Sequence, residues 1–171
     1  MTSGGLKYHG SKLLAHRATL DWVETHKPHF AVITLHPSFV VGRSLIQTSP
    51  DTIDAMNGWM RSSLLSEKPF MPSCMVDVED VAAAHLKALE FDVGDKSEVQ
   101  EFLLTGAGWR WDRVVDFVNE KYPTFGIKMT GPFEEIWKIE TKRAVDLLGM
   151  RWRSVEDTVT SMFDQQLQFG A

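Results

Sequence analysis

The sequence contains a single cysteine, Cys74, and no apolar run long enough to cross a bilayer. One cysteine excludes an internal disulfide, which favours a reducing compartment. The longest apolar runs, residues 31–35 and 39–41, are far shorter than the ~20 residues that a membrane helix needs. The first seven residues also lack the apolar core of a signal peptide. We therefore expect a cytoplasmic protein that makes no membrane contact.

Positive charge is scarce as well, since 18 Lys and Arg face 23 Asp and Glu for a net charge of -5. Proteins that bind the phosphate backbone gather Lys and Arg into patches, and this sequence does not. We therefore expect no nucleic-acid partner. Hydrophobic residues make up 43% of the 171 residues and charged residues 24%, which is typical of one globular domain with a core.

Apolar periodicity and helix-breaking residues predict alternating helices and strands. A helix over 5–26 ends at Pro28, and the β-branched run at 30–35 predicts a strand buried on both faces, as in a parallel sheet. A helix over 49–65 would be capped by Ser49 or Asp51. This order makes the chain α/β. The pattern further predicts a strand at 73–78, a second buried strand at 101–106, and helices at 79–91, 111–122, 141–148 and 154–169.

The stretch Tyr8-His9-Gly10-Ser11-Lys12 carries the most informative chemistry. Residues four apart on a helix lie on one face, with about 6 Å between their β-carbons. An ammonium beside a phenol favours the phenolate, so Tyr8 could donate a proton to a carbonyl or accept one from an alcohol. The spacing alone is also common on solvated helix faces, so the context has to decide.

Three landmarks in order supply that context: the Tyr8 to Lys12 segment, residues 36–43 (HPSFVVGR) at a strand end, and residues 75–85 (MVDVEDVAAAH). Together they resemble the extended short-chain dehydrogenase/reductases, also classed with the NAD-dependent epimerase/dehydratases. Within that family the chain is most similar to the dihydroflavonol reductase and methylglyoxal/ketone reductase branch. The resemblance covers nearly the whole chain.

The resemblance implies roles for five residues at matching positions. Tyr8 would be the proton donor, and Lys12 would bind the nicotinamide ribose and favour the ionised form of Tyr8. Pro37 would lie against the nicotinamide, with Ser38 and Val40 nearby, in a crevice beyond the carboxyl ends of parallel strands. The cofactor in the family is NADP or NAD.

The chain departs from the family pattern in its length and its glycines. The family places its tyrosine near the middle of a chain about twice as long, after a Gly-rich phosphate-binding turn, whereas seven residues precede Tyr8 here. Gly106-Ala107-Gly108 follows a strand, but Trp109 stands where a pyrophosphate needs small residues. We therefore expect the C-terminal half of a Rossmann-type fold, with no dinucleotide binding by these residues alone. Residues 1–48 and 76–106 would belong to the Rossmann core, and 49–75 and 107–171 to a mostly helical substrate-binding region.

Other side chains predict less. The six histidines show no metal-ligand spacing, so no metal site is expected. Asp77, Glu79 and Asp80 fit a helix start better than a catalytic carboxylate pair. Trp and Met are abundant, and either fill the core or line a pocket for a flat apolar substrate. In the expected substrate loop the same two alternatives apply to Met56, Trp59, Met60 and Met71.

Three functional hypotheses follow. The first is a reductase-family chain that reduces a ketone or aldehyde by hydride transfer with Tyr8 as proton donor, and that is inactive alone. The second is a non-catalytic remnant that serves as an interaction domain. Sugar-nucleotide epimerase or dehydratase chemistry ranks below both, because residues 36–43 resemble the reductase branch. The expected partners are a small carbonyl substrate and a second copy of the chain.

Overall fold

The computed structural model describes residues 3–133 and 137–170. The described residues form six α-helices, four short strands and a 3-10 turn at Pro50–Thr52. This order confirms the predicted α/β class. The helices are α1 Ser3–His26, α2 Ala55–Leu64, α3 Val78–Glu90, α4 Trp111–Lys121, α5 Lys142–Leu148 and α6 Val155–Gln168, and the strands are β1 Ile33–Pro37, β2 Phe39–Val41, β3 Met75–Asp77 and β4 Gln100–Leu104.

The strands pair in parallel, as the sequence predicted. β1 pairs with β4, and β2 pairs with β3. Two backbone hydrogen bonds continue the pairing through the bend between β1 and β2: Ser38 N–H donates to Leu104 O at 2.9 Å, and Phe39 N–H donates to Cys74 O at 3.3 Å. Because the strands are parallel, the carboxyl ends of β1 and β4 lie side by side at Pro37 and Leu104.

The prediction that the first and last strands are buried on both faces was wrong. In β4, Phe102 and Leu104 are fully buried, whereas Glu101 and Leu103 are exposed. In β1 the side chains are only half-buried, and Pro37 is exposed. The strand also begins at Ile33 rather than at residue 30. Alternate burial arises because α3 and α5 cover one face of this pair.

Two apolar clusters form the interior. The larger joins α2, α4 and α6 around side chains such as Met60, Trp111 and Met162. The smaller joins Val76 and Phe102 to α5 and contains Ala144 and Leu148. Most of the Met side chains fill these clusters, and so do Trp109 and Trp111. Met60 and Met71 are buried and Met56 packs against the larger cluster, while Trp59 is 51% exposed.

The start of α2 corrects the sequence interpretation. Ser49 and Pro50 were expected to open a helix, but they begin an isolated 3-10 turn, and α2 starts at Ala55. The cap is Asp54, whose carboxylate accepts the backbone N–H groups of Met56 and Asn57, both at 3.0 Å. The expected cap residues fail because Ile53 is extended, with φ -57° and ψ 131°.

Other helix boundaries confirm the sequence signals. Asp77 caps α3 by accepting Glu79 N–H at 2.7 Å, with Glu79 and Asp80 in the first turn. Ser154 caps α6 by accepting Asp157 N–H at 3.0 Å. Gly149 ends α5 with φ +62°, a left-handed conformation that glycine adopts without steric cost. Within the described ranges, no helix is both long and apolar enough to span a membrane.

Candidate active site

Tyr8 and Lys12 lie on the same side of α1, near its amino end. The Lys12 ammonium is 5.5 Å from the centroid of the Tyr8 ring. Tyr8 is 60% exposed, so its hydroxyl has access to a ligand. Ser11 hydrogen-bonds back along the helix, from its hydroxyl to Tyr8 O at 2.7 Å. The pair therefore shares one face of the helix, as the spacing predicted, and its catalytic role stays a prediction.

Pro37 and Ser38 lie at the carboxyl end of the β1–β4 pair. Pro37 is exposed, and Ser38 is held to β4 by the backbone hydrogen bond to Leu104. The hydroxyl oxygens of Ser38 and Thr105, one at the end of each strand, are buried and have no hydrogen-bond partner among the described residues. Buried hydroxyls normally find a partner, so the hydrogen bonding of these two groups is not completed by the described residues.

Val40 lies in β2 and packs against the smaller apolar cluster while staying half-buried. Its side chain therefore has a structural contact of its own. Any contact to a cofactor would have to come from its remaining accessible surface or from its backbone. The assignment of Val40 to a cofactor site stays a prediction.

A polar cluster that sequence spacing did not reveal joins α1 to the sheet. His16 Nε2 lies 2.8 Å from Glu101 Oε1, and His36 Nε2 lies 3.9 Å from the same oxygen. The pKa of His36 is lowered, first by burial and then by His16, while Glu101 acts in the opposite direction. Because His36 directly precedes Pro37, this cluster ties the helix that carries Tyr8 to the strand end.

The Gly106-Ala107-Gly108 turn is packed with protein. A β-carbon at Gly106 would lie 2.6 Å from the Trp109 indole nitrogen, and Trp109 itself is buried. Gly106 N–H donates to Met75 O at 2.8 Å, so this amide is hydrogen-bonded to β3. The geometry agrees with the expectation that this turn is not a phosphate loop.

A separate cavity of about 460 Å³ lies between α6, the loop that follows α4 and the carboxyl end of α2. Its lining includes Arg61, Tyr122, Phe125 and Phe163, and it shares no residue with the Tyr8, Lys12, Pro37 and Ser38 set. Cys74 is not suited to act as a nucleophile. Burial raises the pKa of its thiol, and the side chain is only 3% exposed.

The chain is similar to curated fungal reductases. It is 36% identical over 167 residues to a ketoreductase of Aspergillus fumigatus, covering 95% of this chain and 49% of that protein. It is 27% identical to a putative NADPH-dependent methylglyoxal reductase of Candida albicans, covering 91% of this chain and 50% of the relative. The chain thus spans about half the length of the curated relatives it matches. No family model matches the sequence.

Solved structures share the fold. The crystal structure of Gre2 from Candida albicans in complex with NADPH superimposes with a TM-score of 0.69 at 26% identity, and covers 96% of this chain and 52% of that one. The match again spans about half of the larger protein. On the sequence relatives and the shared fold, the chain is similar to ketoreductases and NADPH-dependent methylglyoxal reductases, and the match to about half of each is that of the C-terminal portion of an extended short-chain dehydrogenase/reductase.

Proposed function

We propose that this chain supplies the proton donor and part of the nicotinamide-facing wall of an NADPH-dependent reductase that acts on a ketone or aldehyde. The observation that carries the proposal is the position of the Lys12 ammonium, 5.5 Å from the ring of an exposed Tyr8. The ammonium also places positive charge beside the phenol that would give up its proton. Tyr8 would give this proton to the carbonyl oxygen of the substrate as the oxygen becomes negative.

The strand end supports the cofactor assignment. Pro37 offers an exposed apolar surface for a flat ring at the carboxyl end of β1. When bound, the nicotinamide supplies the hydride. Lys12 would bind the ribose hydroxyls, and Tyr8, Ser38 and Val40 would complete this side of the pocket.

Tyr122, the second of the chain's two tyrosines, is not suited to the same task. Its hydroxyl donates to Asp164 Oδ1 at 2.7 Å. Burial, followed by Asp164, raises the pKa of Tyr122 to about 12, so its proton is held more tightly. Tyr122 therefore provides a matched control for Tyr8.

The 171 residues alone are proposed to be inactive. They contain no Gly-rich phosphate-binding turn, and Trp109 fills the space beside the one Gly-x-Gly that follows a strand. The division into a Rossmann part (1–48 and 76–106) and a substrate-binding part (49–75 and 107–171) remains part of the proposal. A dinucleotide-binding half has to be supplied for turnover.

The test is reconstitution. The chain is joined to the dinucleotide-binding half of the Aspergillus fumigatus ketoreductase, and NADPH oxidation is followed with methylglyoxal and with a bulky aromatic ketone. Tyr8→Phe should lower kcat by at least about 100-fold with little change in KM for the carbonyl, because it removes the hydroxyl that gives the proton and keeps the ring. Lys12→Met should lower kcat and raise KM for NADPH.

Two controls separate chemistry from folding. Tyr122→Phe and Lys7→Met remove the same groups elsewhere in the chain and should leave kcat unchanged. If Tyr8→Phe and Tyr122→Phe retain equal activity, Tyr8 is not the proton donor. The proposal would then give way to the interaction-domain hypothesis.

One observation favours that second hypothesis as a role in addition to catalysis. Leu6, Leu13 and Leu14 on α1 are each more than half exposed. Apolar surface of this kind marks a contact with another chain. We propose a homodimer through α1, which Leu13→Glu should dissociate in sedimentation velocity. Epimerase or dehydratase chemistry has no comparable observation in its favour.

A further inference from the structure

Three side chains with metal-ligating atoms converge where α1 crosses the β1–β4 pair. His16 comes from α1, His36 from β1 and Glu101 from β4. One ligand atom from each of the three lies within 4.8 Å of the other two. Both imidazoles direct Nε2 toward the same carboxylate oxygen, at 2.8 Å and 3.9 Å.

These separations are close to those within a metal coordination sphere. Ligands bonded at 2.0–2.1 Å in a tetrahedral zinc site lie about 3.3 Å apart, and the distances from the two Nε2 atoms to Glu101 Oε1 fall on either side of that value. The imidazole planes are nearly perpendicular, at 88°, with centroids 4.9 Å apart. Two rings in this arrangement can approach one ion from different directions, which two stacked rings cannot do.

The surroundings allow an ion to enter and keep a further ligand. The side chains of His16, His36 and Glu101 are 28%, 33% and 45% exposed. They are therefore neither sealed in the core nor free in solvent. Thr34 Oγ1 lies 3.0 Å from His36 Nε2 and adds an oxygen at the rim.

The fold explains why the three residues meet. Thr34 pairs with Glu101 in the parallel register, so Thr34, His36 and Glu101 share the sheet face opposite the buried Phe102. α1 lies on that face and presents His16. The ligands are 20 and 65 residues apart in sequence, which is why no ligand motif is visible there.

We propose that His16, His36 and Glu101 form a binding site for Zn²⁺, with a fourth position open to water. Two imidazoles and one carboxylate match the ligands of three-residue zinc sites. The set is poorly suited to Mg²⁺, which prefers oxygen ligands and keeps its waters. Bound zinc would clamp the middle of α1 to the sheet. This inference does not depend on the proposed reductase activity.

The test is titration of the full chain, purified with a histidine-free tag, with Zn²⁺ and with Co²⁺ as a spectroscopic probe. We expect one saturable site per chain, a visible Co²⁺ absorption typical of tetrahedral coordination, and a rise in Tm of roughly 5–10 °C at 100-fold excess over Kd. Mg²⁺ should produce neither signal.

Three variants define the ligands: His16→Gln, His36→Gln and Glu101→Gln. Each should weaken Zn²⁺ binding by at least about 100-fold, because loss of a direct ligand costs at least as much as loss of an outer-shell partner. His85→Gln is the matched control, since His85 is an exposed helical histidine whose ring bonds to Val81 O. Far-ultraviolet circular dichroism identifies any variant that fails to fold, and the ligands are assigned from the variants that do fold.

Two outcomes would overturn the proposal. Absence of saturable Zn²⁺ binding to the parent chain would leave the cluster as an ion pair between His16 and Glu101 with no metal function. Undiminished binding in folded His36→Gln and Glu101→Gln variants would place the zinc elsewhere.

Discussion

At the scale of single residues, Asp80 stands out as a carboxylate that is 5% exposed. Its Oδ2 accepts the backbone N–H of Arg153 at 3.0 Å. Burial is the main cause that raises the pKa of Asp80, and the neighbouring carboxylates of Asp77 and Glu79 act in the same direction. The hydrogen bond and the charge of Arg153 oppose the rise without cancelling it.

A raised pKa predicts the sign of a pH effect. The folded state keeps the Asp80 proton at pH values where the unfolded chain, with a pKa of about 3.9, has lost it. The stabilising contribution of the neutral group is therefore full below about pH 4 and is lost as the pH rises through the higher folded pKa. Asparagine stays neutral at every pH. The free energy of unfolding of Asp80→Asn should therefore increase relative to that of the parent as the pH rises over that interval.

Urea unfolding at several pH values between 4 and 7 measures this difference. Asp116→Asn, at an exposed helical position, is the control. Its free energy of unfolding, plotted against pH, should run parallel to that of the parent. If the Asp80→Asn curve also runs parallel, the folded pKa of Asp80 is not raised.

At the scale of helices and strands, local signals predicted most of the boundaries. Proline, glycine and capping residues act within one turn, so the ends of α3, α5 and α6 could be predicted from sequence. The start of α2 could not. Ser49-Pro50-Asp51 has the composition of a helix start, but Asp54 also has the support of Asn57, whose side-chain amide donates to Asp54 Oδ2 at 2.6 Å. Asn57 Nδ2 also donates to Gly42 O at 2.7 Å, a contact 15 residues away that no local pattern contains.

Two capping variants test this correction. Asp54→Ala should lower the free energy of unfolding by about 1–2 kcal/mol, because it removes the acceptor for two backbone N–H groups. Ser49→Ala, at the residue that the sequence favoured, should cost less than about 0.5 kcal/mol. Equal losses in chemical denaturation would contradict the assignment of Asp54 as the cap.

The site shows the same limit of sequence reasoning. Tyr8 and Lys12 are one helical turn apart, so their proximity followed from spacing alone. The cluster of His16, His36 and Glu101 depends on strand register and on the docking of α1, which only the fold supplies. The single-faced burial of β4 was missed for a related reason, because the run Phe102-Leu103-Leu104 is apolar on both faces.

At the scale of the whole molecule, part of the exposed apolar surface lies on and near the first helix and strand. Leu13 is 69% exposed, Leu14 66%, Phe30 48% and Leu103 45%. Among the described residues, β1 pairs on one side only. An exposed strand edge beside apolar side chains is a template for association with other chains.

We therefore expect the 171-residue chain alone to self-associate and to bind no NADPH. Fluorescence titration with NADPH should show no saturable signal, because the phosphate-binding turn is not encoded in these residues. Light scattering should detect assemblies that grow with protein concentration. Tight, saturable NADPH binding to the isolated chain would refute this expectation.

Among the described side chains of α1, only Val23 is buried, and it lies near the carboxyl end of the helix. The contact of His16 with Glu101 also holds the helix, eight residues from Tyr8, which corresponds to about 12 Å along the helix axis. A tilt of only 5° about that contact would move Tyr8 by about 1 Å. Catalysis tolerates misplacement of about 0.5 Å, so the accuracy of proton transfer has to be imposed by whatever covers the amino-terminal half of this helix.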